Sequence, residues 1–174
     1  MERLTTTVTY LEMTDPSDLV GGRVDDPRVT IVEVGNCTNS YYLYLYTEVG
    51  RQYHWVERRR WAPERLAAVL ADPNVRIWVL YFDGCPAGYY ELARDAEGGV
   101  EVAYFGLLPE FLGRGLGKTL LTAAVESAWA LEPRPTRVWL HTCTLDAPQA
   151  LPNYTSRGFR PYKTDEEIIE TIDD

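Results

Sequence analysis

Apolar residues occur in short runs through the middle of the chain, and turn-forming residues separate the runs. The runs Val75–Phe82, Pro86–Arg94 and Val100–Leu108 are divided by Asp83–Gly84 and by Gly98–Gly99. Asp-Gly is a hairpin turn signal, and short apolar runs bounded by such residues are typical of strands. This pattern predicts an antiparallel meander of three strands.

The apolar spacing changes after the meander. From Leu116 to Leu131 apolar residues recur at helical intervals, and Pro133 and Pro135 follow, which predicts one amphipathic helix. The rest of the pattern predicts a strand, a helix and a last strand, at Thr136–His141, Pro148–Arg157 and Phe159–Lys163. We expect the acidic stretch 164–174 to be a polar tail or a last exposed element.

The first 74 residues give weaker signals. Stretches rich in β-branched residues predict strands at Thr5–Glu12 and Val29–Val34, and Pro63 opens a predicted helix that ends at Ala71. Residues 38–60 are dense in Tyr, Trp and Arg, and we expect short helices and loops there. Within this stretch the basic cluster 57–60 is expected to be a solvated helix face.

The order of elements in the second half predicts the fold class. It is β-β-β-α-β-α-β, an antiparallel β-meander followed by a β-α-β-α-β arrangement. This order indicates an α/β protein of the α+β type with a mixed sheet, and not a doubly wound parallel sheet. A chain of 174 residues has the length of one ordinary domain, so we expect residues 1–174 to be a single domain.

Charge and cysteine content narrow the possible partners. The net charge of −9 argues against a nucleic-acid partner, because binding to phosphates needs clustered Lys and Arg. The apolar runs are too short to span a membrane. The three cysteines (Cys37, Cys85 and Cys143) are odd in number and lack the spacing of metal ligands. We therefore expect free thiols, no metal and no membrane contact, in a protein of the reducing cytoplasm.

The most specific chemistry lies between Pro109 and Thr119, where a predicted strand ends and a predicted helix begins. Glycines alternate with other residues there, two of them basic: Gly113, Arg114, Gly115, Leu116, Gly117 and Lys118. Glycine lets the backbone approach a ligand closely, and the unpaired amides of a helix start attract anions. The segment predicts a phosphate or pyrophosphate site; a glycine-rich turn without a ligand is the structural alternative.

Two common phosphate-binding motifs are excluded by spacing. A Walker A loop would need a glycine where Leu112 stands. The dinucleotide fingerprint requires Gly-x-Gly-x-x-Gly, whereas this chain has Gly-x-Gly-x-Gly.

The segment resembles the acetyl-CoA loop of the GNAT superfamily of N-acetyltransferases, whose pattern is (Arg or Gln)-x-x-Gly-x-(Gly or Ala). Gly115 and Gly117 match this pattern, whereas its first position is Leu112. A second segment, Ala150–Phe159, resembles the Ala-x-x-x-Tyr-x-x-x-Gly-Phe segment of the same family. The resemblance covers roughly residues 75–163.

This resemblance implies a GNAT-like fold with a splayed central sheet, in which residues 75–163 bind CoA and residues 1–74 form the acceptor side. It implies acetyl transfer from acetyl-CoA to a primary amine, on a small molecule or a peptide, by direct attack in a ternary complex. The glycine segment and the resemblance together give Leu107, Gly113, Arg114, Gly115, Leu116, Gly117 and Lys118 as the residues that would contact the cosubstrate. The family often has Asn seven residues before the Tyr of the second segment, where this chain has Ala147, and the neighbouring Asp146 or Asn153 could supply a polar contact to CoA instead. A homodimer is a further possibility. The main rival is a non-catalytic module with the same fold that binds or senses acyl-CoA.

Tyr154 is the candidate acid. The family resemblance implies that it donates a proton to the departing CoA thiolate, and the chemistry benefits from such a donor. The alternative is a structural tyrosine whose hydroxyl binds a backbone carbonyl.

Glu101 and Glu91 are the candidate bases, either of which would take the proton of the amine. Strand alternation predicts that Glu101 shares a face with Ala103, Phe105 and Leu107. If Glu91 lies across the hairpin and both are buried, the pKa of one carboxyl should rise. Each could equally be a solvated strand residue.

Two further features stay open. His141 ends its predicted strand and could be a base, a substrate contact or a structural residue, and the same applies to His54. Seven aromatic residues could wall an acceptor pocket or belong to the core: Tyr41, Tyr42, Tyr44, Tyr46, Tyr53, Trp55 and Trp61.

Overall fold

The computed structural model describes residues 3–170 as a mixed sheet flanked by helices. Its strands are β1 (Arg3–Met13), β2 (Val29–Glu33), β3 (Val75–Phe82), β4 (Cys85–Arg94), β5 (Val100–Leu107), β6 (Val138–Cys143) and β7 (Arg160–Glu170). Its α-helices are α1 (Asn39–Gly50), α2 (Pro63–Ala71), α3 (Leu116–Trp129) and α4 (Ala150–Ser156). The strand order is β2-β3-β4-β5-β6-β1-β7. The predicted class, a mixed α/β sheet, is confirmed, and so is the antiparallel meander of β3, β4 and β5.

Two sequence predictions about single elements are wrong. Residues 38–60 contain α1, a helix of twelve residues, where short helices and loops were expected. Its buried residues Tyr42, Leu45, Tyr46 and Val49 follow a helical spacing that the many aromatic residues obscure. The last strand continues past Lys163 to Glu170, because β1 pairs with it along its whole length. Of the two alternatives for the acidic stretch 164–174, residues 164–170 thus form a last, largely exposed element and not a tail, and residues 171–174 lie outside the described part of the chain.

The N-terminal strand β1 belongs to the half of the sheet that also contains β6 and β7. β1 pairs antiparallel with β6 on one side and with β7 on the other, so it lies between two strands from the C-terminal third of the sequence. This pairing places Tyr10 directly opposite His141.

The central sheet is splayed between β5 and β6. These strands run parallel and pair only at Val100 with Val138 and at Glu101 with Trp139. Within the described residues, no pairing to β6 continues beyond Glu101, so that edge of β5 is left without a neighbouring strand. The splay implied by the family resemblance is thus present.

Helices cover the sheet through two separate hydrophobic cores. On one face α3 packs against β4, β5 and β6, and Leu120, Leu92 and Leu140 are almost fully buried there. On the other face α1 and α2 pack against β3 and β4, and Tyr42, Leu66 and Tyr89 are buried. Each such side chain stabilises the fold by roughly 1.5–3 kcal/mol. None of the helices within residues 3–170 is long and apolar enough to cross a membrane.

The segment between β1 and β2 lies against α3 and α4. Gly22 N donates to Thr122 Oγ1 at 2.9 Å, and Val24 N donates to Thr119 Oγ1 at 2.9 Å. Gly158, with φ of 105°, ends α4 beneath this segment, where a Cβ atom would lie 2.0 Å from the carbonyl oxygen of Asp18. Only glycine fits this position, as expected for a helix C-terminal glycine.

Candidate active site

A β-bulge marks the point where β5 leaves β6. Glu91 of β4 pairs with Tyr104, whereas the next residue, Leu92, pairs with Val102, so Ala103 has no partner on β4. Bulges bend the strand that carries them and break its alternation. The bulge therefore lies at the opening of the cleft between β5 and β6.

The bulge overturns one prediction about Glu101. Strand alternation placed it on the same face as Ala103, Phe105 and Leu107, but Phe105 and Leu107 pack in the core beside α3. The Glu101 carboxyl is instead influenced by Glu91 and by Arg58, on the other face of the sheet. The extra residue in β5 reverses the faces of all positions beyond it.

The glycine segment forms a cradle of backbone amides at the start of α3. Gly113 and Gly115 both have φ of 76°, a left-handed conformation that favours glycine. Gly115 is the N-cap of α3, and no side chain caps the first turn. A Cβ atom on Gly117 would meet only Leu107 Cδ1, at 3.8 Å. The first-turn amides are thus available to an anion, and space is left above Gly117 for it.

The two cations of the segment are exposed and lie beside the cradle. The Arg114 guanidinium carbon lies 5.4 Å from the Phe82 ring centre and 5.2 Å from that of Phe111. The Lys118 side chain lies against Gly22. Leu112, which stands where the family pattern has Arg or Gln, is 46% exposed. Backbone amides, more than side chains, therefore shape this site.

Tyr154 of α4 lies on the α3 face of the cleft. Its ring packs edge-on against Phe105 and Phe159, with centroids 6.3 and 6.2 Å away. Burial raises the pKa of the Tyr154 hydroxyl well above 10, and the charges of Asp146 and Tyr53 raise it further. No hydrogen bond of this hydroxyl to another residue in 3–170 is present, so the backbone carbonyl of the structural alternative is not its partner.

The other implied cosubstrate contacts lie around the same cleft. Leu107 is buried at the end of β5, opposite Gly88, and Asn153 is exposed on α4 beside Tyr154. Asp146 closes the turn after β6, where it accepts hydrogen bonds from Thr142 Oγ1 at 2.6 Å and Cys143 N at 2.9 Å.

Glu91 forms a buried ion pair with Arg58. Arg58 Nη1 lies 2.6 Å from Glu91 Oε1 and also donates to the Tyr42 hydroxyl. The side chains are 10% and 1% exposed, and three rings surround the guanidinium: Tyr42, Trp61 and Tyr104. The expectation that residues 57–60 form a solvated helix face is wrong for Arg58, because the carboxylate of Glu91 in the core requires a cation.

Glu101 lies on the same face, with a side chain that is 23% exposed. Burial first, and then the negative charge of Glu91, raise the pKa of its carboxyl from 4.5 to about 7. Arg58 opposes this shift and Asp95 adds to it. Glu91 is not directly across the hairpin from Glu101, because it pairs with Tyr104 and Glu101 pairs with Ala93. The two carboxyls nevertheless lie on one face, and it is the pKa of Glu101 that rises.

The aromatic residues divide into core and site. Tyr42 and Tyr46 are buried in the core. Trp55 packs edge-on against Tyr104, with centroids 5.1 Å apart, beside the bulge. Tyr53, in the same segment, is close enough to affect the pKa of Tyr154. Tyr53 and Trp55 therefore pack against each other beside Tyr104 and the bulge.

Arg58, Tyr104 and the bulge were missed by sequence reasoning. One signal for Arg58 was present: Glu91 stands in the apolar strand Tyr89–Leu92, and a buried carboxylate requires a cation. The sequence gives no such signal for the bulge, because alanine at position 103 does not by itself indicate a bulge.

Comparison with known proteins finds a family match over most of the chain. The sequence model of the acetyltransferase (GNAT) family matches residues 42–159, which include the glycine segment, Glu101 and Tyr154. No curated protein sequence matches the chain significantly.

Several solved structures share the fold. A GCN5-related N-acetyltransferase from Kribbella flavida has a TM-score of 0.66 and 20% identity over 95% of this chain and 58% of its own. A GCN5-related N-acetyltransferase from Sphaerobacter thermophilus has a TM-score of 0.68 and 15% identity over 97% of this chain and 54% of its own. A tandem GNAT protein from the clavulanic acid biosynthesis pathway has a TM-score of 0.63 and 19% identity over 95% of this chain and 54% of its own. The chain thus spans little more than half the length of these three proteins.

Proposed function

The chain belongs to the GNAT acetyltransferase family, and from this premise we propose that it transfers an acetyl group from acetyl-CoA to a primary amine by direct attack. The observation that carries this proposal is the cleft itself. It joins an uncapped helix start, the unpaired edge of β5, a carboxyl and a phenol: Glu101 and Tyr154.

Two parts of the cleft suit two parts of acetyl-CoA, the pyrophosphate and the pantetheine arm. The amides of the first turn of α3 suit a pyrophosphate, since they are uncapped and the space above Gly117 is open. The free edge of β5 suits the extended pantetheine arm with its amide groups, which can bind like an added strand. Leu107 lies where these two parts of the cleft meet.

The two titratable groups divide the proton transfers between them. Acetyl-CoA supplies the acetyl group as a thioester and leaves as a thiol. Glu101, partly ionised near neutral pH, accepts a proton from the ammonium group of the acceptor. Tyr154 stays protonated in its apolar surroundings until it donates its proton to the leaving sulfur, and it then takes up the second proton that the amine nitrogen loses. Glu91 is held by Arg58, so we assign the base to Glu101 alone.

The acceptor enters from the α1 face of the sheet. Glu101 lies on that face, and the segment carrying Tyr53 and Trp55 covers it beside Tyr104. These rings can hold an apolar or cationic amine. The acceptor then meets the thioester at the splay, from the side opposite to α3.

An assay of thiol release tests this function. Purified protein is incubated with acetyl-CoA and a panel of amines that includes polyamines, aryl-alkylamines and peptides with free N-termini or lysines. We expect at least one amine to be acetylated, detected by mass spectrometry, with loss of activity in Glu101→Gln. Binding of acetyl-CoA without turnover on any amine would contradict catalysis and would favour a module that senses acyl-CoA.

A further inference from the structure

Acetylation of an amine leaves one proton to be disposed of. At neutral pH a primary amine arrives as an ammonium ion. The C–N bond of the amide forms and the C–S bond of the thioester breaks, so the nitrogen loses two protons while the sulfur gains one. The remaining proton passes to the base, and the base must release it to solvent before the next turnover. This argument rests on the proposed function.

Glu101 is poorly placed to release that proton by itself. Its side chain is only 23% exposed and lies next to the buried pair of Arg58 and Glu91. On its other side is β6, and the nearest titratable group there is His141. Its Nε2 lies 3.8 Å from Glu101 Oε1.

His141 connects this carboxyl with solvent. Its side chain is 44% exposed, about twice the exposure of Glu101. The Tyr10 ring packs against the imidazole, with centroids 5.6 Å apart, and β1 pairs with β6 at this position. The imidazole is thus held on the strand beside the base, with one side towards water.

We propose that His141 is a positioning residue that takes from Glu101 the proton of the acceptor amine and passes it to solvent. When the side chains close the 3.8 Å between Oε1 and Nε2 to hydrogen-bond distance, the carboxylic acid of Glu101 gives its proton to Nε2 of a neutral imidazole. The imidazole becomes an imidazolium and then loses a proton to water. Glu101 is left as a carboxylate, ready for the next amine, and no other reactant is consumed.

The charges around both groups suit such a transfer. Glu101 faces Glu91 of β4, Arg58 of the covering segment, Asp95 of the turn after β4, and His141 of β6. Partial burial lowers the pKa of His141, while two carboxylates oppose this, Glu167 of β7 and Asp146 of the turn after β6. Because the pKa of His141 is lowered, its imidazole is neutral at neutral pH and can accept a proton from Glu101, whose pKa is raised to about 7.

Kinetics of His141→Ala test the relay. In dilute buffer we expect kcat to fall about 10-fold or more, with KM for the amine and affinity for acetyl-CoA unchanged. Added imidazole should restore kcat, because it carries the proton in place of the missing side chain. The control is His54→Asn, at the chain's other histidine, which is exposed and has φ of 59°. A normal kcat in His141→Ala, or a loss that imidazole does not restore, would overturn the relay while leaving the proposed function intact.

A titration of the resting protein tests the same coupling without turnover. The ring resonances of His141 should show two ionisation steps in the wild type, its own and that of Glu101, because coupled groups share their titrations. Only one step should remain for His141 in Glu101→Gln. A single step for His141 in the wild type would refute the coupling, whether or not an acceptor amine has been found.

Discussion

The apolar environment of the Tyr154 hydroxyl determines whether it can donate a proton. Phe105 and Phe159 hold the ring, and no residue in the described part of the chain binds the oxygen. Burial keeps the phenol protonated, so in the resting protein it is a proton donor and not a phenolate. Such a group serves catalysis only when a ligand brings an acceptor to it.

Tyr154→Phe tests this role. We expect kcat to fall by about 10- to 1000-fold, the range for loss of one general acid. Affinity for acetyl-CoA should change little, since the ring and its packing are kept. Tyr162→Phe, on exposed β7, is the matched control. Equal loss of binding and turnover would mean that the hydroxyl holds the cosubstrate and is not the acid.

Glu101 predicts a pH dependence of turnover. Its pKa is raised to about 7 by burial and by Glu91, so below pH 7 the carboxyl is protonated and cannot accept a proton. We expect kcat/KM to rise with pH through about 7 and then to level off. In Glu101→Gln turnover should be low and this step should vanish. Persistence of the step in that variant would assign it to another group.

At the level of single residues, sequence reasoning predicted which elements carry the candidate groups better than it predicted their environments. Glu101 lies on β5 and Tyr154 on α4, as the strand and helix patterns predicted, whereas the face that Glu101 occupies was predicted wrongly and the catalytic roles of both residues stay predictions. Their pKa values depend on Arg58, Glu91 and Asp146, which come from distant segments. Such contacts are set by packing between elements, and a linear pattern does not contain them.

Among the elements, the segment after α1 is anchored by a single buried side chain. Arg58 links it to Glu91 of β4 and to Tyr42 of α1, and it lies over the ring of Tyr104 beside the bulge. This one residue therefore fixes the segment after α1 to the sheet.

Arg58→Met should destabilise the protein by about 3–5 kcal/mol, because it leaves the Glu91 carboxylate buried without a partner. The double variant Arg58→Met with Glu91→Leu should regain most of this loss, since apolar replacements of a buried pair are often neutral. Arg76→Met, which breaks an exposed pair with Glu33, should cost under about 1 kcal/mol. Urea denaturation measures all three; a single variant as stable as the wild type would contradict the anchor.

Elements with regular periodicity were predicted well, and those set by distant partners were not. α2, α3 and the meander follow local apolar spacing and turn residues. The bulge in β5 and the length of β7 depend on strands to which they pair. A bulge without glycine gives no local signal, yet this one decides which face Glu101 occupies.

For the whole molecule, the decisive feature is the joint between the two halves of the sheet. β2 to β5 form one antiparallel half, and β6, β1 and β7 form the other. Within residues 3–170, only two residue pairs connect the halves directly. The position of β1 in the second half could not be inferred from order along the chain, because consecutive strands usually neighbour each other. That residues 1–174 form a single domain stays a prediction.

The joint is also the proposed binding site, so the central claim is that it binds acetyl-CoA. Calorimetric titration with acetyl-CoA, and separately with ATP and NAD, measures this directly. We predict micromolar binding of acetyl-CoA, much weaker binding of the other two, and loss of acetyl-CoA binding in Gly117→Val. That position accommodates a side chain in the fold but would fill the cradle, whereas the control Gly35→Val lies in open space elsewhere. Absence of acetyl-CoA binding, or equal binding by Gly117→Val and the wild type, would contradict the account.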